Sequence, residues 1–161
     1  MTNQIVTVQQ KTEEKPKLST EFGTRNLKSY KTKRTFTAMV VAARQHRKRR
    51  EELGYKSHLP KISSILCSTD FKQIIGSFSS GDGVCALGAL AKAAKNPISN
   101  ETIDWHLIVN NYNVTIEELS RNVFCPVCHT QYHIGKMIPH LNDQHQYSFK
   151  EIGKYLKRFG L

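Results

Sequence analysis

The sequence predicts an α+β protein. It should comprise a small, mainly helical domain with one β-hairpin and a Cys2His2-like zinc knuckle, preceded by a disordered tail and a basic helix. Three observations carry this expectation. Cys125-Pro126-Val127-Cys128, followed by His140 and His145, has the spacing Cys-x2-Cys-x11-His-x4-His. Ser79-Ser80-Gly81-Asp82-Gly83 is a dense turn signal between apolar runs. The chain of 161 residues carries a net charge of +11, and residues 1–61 hold 15 Lys and Arg against 5 Asp and Glu, whereas residues 62–161 hold 9 against 8.

Residues 1–34, rich in Gln, Thr, Lys and Ser with no sustained apolar period, read as a disordered basic tail. Residues 35–58 form the basic helix. Phe36, Met39, Val40 and Ala43 recur at i, i+3, i+4 and i+7 and predict one buried face. Arg47 and Arg50 continue along that face, while Arg44, Lys48 and Arg49 point elsewhere. A helix that turns polar all round has no core to pack on, so Arg44 to Glu52 is expected to project, with Gly54 as the stop.

Residues 59–161 read as the globular zinc-containing domain. Leu59 to Cys67 is expected as a loop, Phe71 to Phe78 as a strand, and Val84 to Leu87 as its hairpin return. Gly81-Asp82-Gly83 lacks the Gly-Lys-Ser/Thr ending of a phosphate loop and is taken as the hairpin turn. Ala89 to Lys95 is helical by propensity. Glu101 to Asn111 is a further helix, packing through Trp105, Leu107, Ile108 and Val109, with His106 at the surface. Thr115 to Glu118 and Ser148 to Glu151 are capping boxes, each opening a helix. The second of these helices, residues 149–159, places Phe149, Ile152, Tyr155, Leu156 and Phe159 on one arc. Lys150, Lys154, Lys157 and Arg158 lie on the other.

The zinc knuckle spans residues 123–147. A Cys-x2-Cys turn presents two thiolates to one point, and two downstream histidines can complete a tetrahedron. On an unbroken helix His140 and His145 diverge by about 140°, so they converge only if the helix loosens near Asn142-Asp143-Gln144. His129 and His133 are the nearby substitutes, and His133 is the better placed of the two. A redox pair is the competing reading, but the βαβ context that usually accompanies one is absent. A disulfide between Cys67 and Cys85 is unforced. Cys85 is expected to be a buried, unpaired thiol packed with Leu87 and Leu90.

His140-Leu141-Asn142-Asp143-Gln144-His145, taken with Cys125-x2-Cys128 and the earlier Cys85-Ala86-Leu87-Gly88, resembles an uncharacterised group of small prokaryotic and phage-type zinc proteins. That likeness covers about residues 71 to 161 and implies no activity. The knuckle is also similar, more distantly and over about 35 residues, to the single-finger Ros/MucR-type Cys2His2 regulators. This second resemblance implies DNA binding.

No apolar N-terminal segment and no membrane-length apolar run occurs, so a soluble cytoplasmic protein is expected, with no membrane partner. The confined basic charge is the footprint of a phosphate binder. The expected function is therefore a zinc-stabilised nucleic-acid-binding protein, a small DNA-binding regulator or accessory factor, with DNA expected ahead of RNA as the partner. Its structural Zn2+ would sit on Cys125, Cys128, His140 and His145. Its phosphate contacts would come from Arg44, Arg47, Lys48, Arg49, Arg50, Lys150, Lys154 and Lys157. The finger helix itself offers only Lys136 between Gly135 and Pro139, so it reads as a staple and not as a base reader. The alternatives are a zinc-dependent protein-interaction adaptor and a ribosome- or RNA-associated basic protein. An enzyme is not expected, nor a small-molecule substrate: four protein ligands leave no open position on the metal, and no separate general base accompanies the histidines.

Overall fold

In the computed structural model the described residues are 30–95 and 104–161. The tail expected over residues 1–34 lies outside them as far as residue 29, and so do residues 101–103 at the start of the helix expected from Glu101. In chain order the elements are α1 (Tyr30–Glu52), α2 (Ile62–Ser68), β1 (Ser79–Ser80), β2 (Gly83–Val84), α3 (Ala86–Ala93) and α4 (Trp105–Asn111). There follow α5 (Ile116–Leu119), β3 (Asn122–Phe124), β4 (Gln131–His133), α6 (Ile134–Asp143) and α7 (Phe149–Lys157). The class is mixed: helices with two small antiparallel hairpins, β1–β2 and β3–β4, where one hairpin was expected.

The C-terminal helix follows its sequence pattern. Ser148 caps α7 in a reciprocal box with Glu151, and Phe149, Ile152, Tyr155, Leu156 and Phe159 are all buried. The helix packs on α2 at close range through Gly153. A Cβ there would lie 2.7 Å from Cys67 Sγ and 2.8 Å from the Ser63 carbonyl oxygen, so only glycine admits this approach. The segment expected as a loop over Leu59 to Cys67 is thus a helix. Its buried Ile62 and Leu66, one turn apart, supply the tertiary packing that outweighs its weak local propensity.

Residues 71–78 do not form the expected strand. Apart from a single bridge between Gln73 and Val84, pairing is confined to Ser79 with Val84 and Ser80 with Gly83. The expected return strand is also replaced, because α3 begins at Ala86. Cys85 is its N-cap, with Sγ accepting from Gly88 N at 3.4 Å. Cys85 is buried and unpaired, as expected, and Cys67 is likewise a free thiol. In α4, Ile108 is buried while Leu107 is exposed and contributes no packing surface.

The basic helix begins at Tyr30, before the expected start, and ends near Gly54, whose φ of +71° marks the stop. It docks on the end of α7. Phe36 meets Phe159 edge-to-face at 5.9 Å between centroids, and the Arg158 guanidinium lies over the Phe36 ring at 4.8 Å. No helix among the described residues is long and apolar enough to cross a membrane.

Candidate metal centre

The centre is built by a ββα unit. β3 and β4 pair in the register Asn122–His133, Val123–Tyr132 and Phe124–Gln131, and α6 follows β4 directly. At the hairpin end the chain folds back tightly. Cys125 N donates to the Thr130 carbonyl at 2.8 Å, and His129 N donates to the Cys125 carbonyl at 3.1 Å. His129 closes this turn in the left-handed region, at a φ of +61°. The Val127 amide points at Cys125 Sγ from 3.4 Å, a donor that favours the thiolate form. Tyr155 anchors the strand from beneath, its hydroxyl donating to the Phe124 carbonyl at 2.9 Å.

The histidines converge because α6 stops between them. His140 lies in its last turn, Asp143 ends it, and His145 follows the cap residue Gln144. Gln146, with φ +52°, and the bond from Tyr147 N to the Leu141 carbonyl at 3.0 Å turn the chain back. Cys125, Cys128, His140 and His145 thereby bring one donor atom each to within 4.8 Å of one another. Cys128 Sγ is 3.3 Å from His140 Nε2, and His140 Nε2 is 3.1 Å from His145 Nε2. A zinc ion about 2.3 Å from sulfur and about 2.0–2.1 Å from nitrogen makes tetrahedron edges of roughly 3.3–3.8 Å. The donor set fits a metal ion of that kind in type and separation.

The electrostatics favour neutral imidazoles. Burial holds His140 below the ordinary histidine range, with His145 adding to the effect, and burial alone does the same for His145. Burial pushes the Cys125 thiol up to about 11. At Cys128 partial burial acts upward too, but hydrogen bonding from Thr130 and Cys125 outweighs it and leaves this thiol below its usual value. The Tyr132 ring lies against His140, 4.4 Å between centroids, and fixes the plane of the imidazole. The two substitute histidines are not in the cluster. His133 Nδ1 donates to the Ser120 carbonyl at 2.5 Å, and His129 is committed to the turn.

The residues between the ligands have a separate task that sequence reasoning missed. Asn142 is fully buried. Its Nδ2 donates to the Ile74 carbonyl at 2.9 Å, and its Oδ1 accepts from Gln73 Nε2 at 2.8 Å and Ala86 N at 3.3 Å. Asp143 accepts from Gly76 N at 3.0 Å. Side-chain bonds thus hold residues 73–76 and the start of α3 to the helix that carries His140, where a strand ladder was expected.

The predicted phosphate contacts divide. Arg44, Lys48, Arg49, Lys150, Lys154 and Lys157 are exposed. Arg47 and Arg50 are buried, and the expected projection of residues 44–52 is corrected accordingly. Arg50 Nη1 pairs with Glu118 Oε2, and Arg50 Nη2 donates to Asn113 Oδ1 at 2.8 Å. Arg47 Nη2 donates to the Asn113 carbonyl at 2.7 Å, with Nη1 3.6 Å from Glu118 Oε1. The polar second half of α1 docks because its counter-charge comes from the capping box of α5, where Glu118 also accepts from Thr115 N at 3.1 Å. Burial holds Arg47 below the usual guanidinium value, against the pull of Glu118.

No protein-family model, curated protein or solved structure matches this chain.

Proposed function

We propose that this is a zinc-stabilised nucleic-acid-binding protein, a small DNA-binding regulator or accessory factor that grips phosphates through a basic surface shared by α1 and α7. The observation that carries the reading is the bond from Arg44 Nε to the Arg158 carbonyl at 2.8 Å. It joins the exposed edge of α1, with Arg44 and Lys48 one turn apart, to the residue that follows Lys157 at the end of α7. From Lys157 the exposed side chains of Lys154 and Lys150 continue back along α7. A patch of one sign on two packed helices attracts a polyanion.

The zinc in this reading is structural. All four donors come from the chain, and α6 is walled in: Ile134, Gly135, Met137, Ile138, Leu141 and Asn142 are buried. Trp105 covers Gly135 so closely that a Cβ there would sit 3.1 Å from the indole. A finger helix covered at its N-terminal turn has no free end to offer a groove, which supports its role as a staple.

The test is binding to duplex DNA, single strands and RNA across a salt series. Contact with about five phosphates gives a slope of log affinity on log salt near −4.5 for a duplex. Arg44→Ala with Lys48→Ala should flatten that slope by about 1.8, as should Lys154→Ala with Lys157→Ala. The absence of salt-dependent binding to any of these polymers rejects the proposal in favour of a protein-docking module.

A further inference from the structure

The geometry points to α1 as the element that enters the major groove of B-form DNA, with Ala38, Val41, Ala42 and Gln45 turned to the base edges. This rests on the nucleic-acid reading above and commits it to one surface and one polymer.

The helix is buried along a single arc, formed by Phe36, Ala43, Arg47 and Arg50. At about 100° per residue, Ala38, Val41, Ala42 and Gln45 fall within roughly 100° of one another on the opposite side. All four are exposed, Val41 by 47 %. An α-helix with its side chains is about 10–12 Å across and the B-DNA major groove about 12 Å wide, so close approach to the floor requires small side chains at the centre of the face. Two alanines supply that here. Val41 offers an apolar surface suited to a thymine methyl, and Gln45 a carboxamide able to pair with adenine N6 and N7.

Basic charge borders this face on one side and enters it at one end. Arg44 and Lys48 stand on one edge, where a phosphate strand would run, and Arg49 lies within the face one turn beyond Gln45. Among the described residues Lys48 pairs with Glu52 at 3.8 Å, with side chains 80 % and 61 % exposed, a contact weak enough to exchange for a phosphate. Beneath the helix, Arg47 and Arg50 lock its rotation through Glu118 and Asn113, so the face is pre-set before any partner arrives. The polymer follows from shape. The major groove of A-form RNA is deep and narrow and does not admit a helix.

Two measurements test this with the full-length, zinc-loaded protein. The first is dimethyl sulfate protection of guanine N7, an atom on the major-groove floor, in a mixed-sequence DNA duplex. The second compares Ala38→Trp and Ala42→Trp, exposed positions where a large ring blocks groove entry without touching the core. Protection of N7 is expected, with duplex affinity lowered about tenfold or more in each variant, the scale of one lost base contact. Single-strand affinity should be unchanged. Salt-dependent binding with N7 unprotected, wild-type duplex affinity in both variants, or equal affinity for duplex RNA each overturns groove entry and leaves the proposed function standing. Failure to bind any nucleic acid overturns both.

Discussion

Glu118→Gln separates charge from shape in the cluster that seats α1. The glutamine keeps the capping box of α5, which accepts either residue at that position, so the loss is chiefly the carboxylate's charge. That charge is shared by two guanidinium groups. The Glu118 and Arg47 side chains are each 3 % exposed and that of Arg50 is 11 % exposed, so water screens little of the interaction. Arg47 has a second carboxylate in Glu51 at 3.2 Å, but that side chain is 40 % exposed and divided with Lys61. Removing one partner from a buried ion pair costs about 3–5 kcal/mol, against about 1 kcal/mol or less for an exposed pair. For a domain of this size the loss corresponds to a fall in Tm of about 10–20 °C. Thermal unfolding of the zinc-loaded protein measures it, and amide hydrogen exchange over residues 30–52 locates it. Combining Arg47→Met, Arg50→Met and Glu118→Leu should recover most of the stability, since an apolar set of similar volume substitutes for a buried ionic one. A Tm within about 3 °C of wild type for Glu118→Gln, with α1 amides still protected, would refute the reasoning.

Purified protein should carry one zinc per chain, lost in Cys125→Ala and His145→Ala but kept in His133→Ala, whose ring is engaged by the Ser120 carbonyl; elemental analysis decides. Chelation should unfold the C-terminal region, because a structural zinc contributes on the order of 10 kcal/mol of apparent binding free energy. His140 and His145 are held below the ordinary value of 6.5 by burial, so the fold favours their neutral forms. Their contribution to stability is complete above that value and declines as pH falls through it, when the unfolded chain takes up protons first; denaturant titrations at pH 7.5 and 5.5 should differ in that direction, and equal midpoints would contradict it. Asn142→Ala strands the Ala86 amide and the Ile74 carbonyl and should cost about 3 kcal/mol or more by chemical denaturation. Cys85, 5 % exposed with its thiol raised by burial, should label far more slowly than an open thiol in the native protein.

Local chemistry was legible in the sequence where the signal and its partner lie close together. Both capping boxes stand where the Thr-x-x-Glu and Ser-x-x-Glu spacings put them, and the apolar arc of α7 is buried as its period implies. The clustering of Cys125, Cys128, His140 and His145 was legible from spacing alone, and the break near Asn142-Asp143-Gln144 is where α6 ends. What escaped was set across long separations. Arg50 meets Glu118 over 68 positions and Asn142 meets Ile74 over 68, and no window of neighbouring residues contains either pair. The run Phe71 to Phe78 looks like a strand because of its apolar residues, yet it pairs only through the Gln73–Val84 bridge and is held besides by side-chain amides of Gln73 and Asn142. Cys85 was read as a strand residue because a thiol is an uncommon helix cap, and its hydrogen bond to Gly88 carries little mark in composition.

The enclosure of α6 also governs how far this ββα unit can be transplanted. A free-standing ββα bead can be strung in tandem because each copy needs only its own small core and its metal. Here the helix that carries both histidines is faced by Trp105 at one turn and, through Asn142, by Gln73, Ile74 and Ala86 at another. A duplicate of residues 122–147 alone would uncover Gly135, against which Trp105 packs, and would leave Asn142 without Gln73, Ile74 and Ala86. The motif is therefore an indivisible part of its domain. It can be shuffled between proteins only together with the helices that surround it, and its copy number per domain is fixed at one by packing.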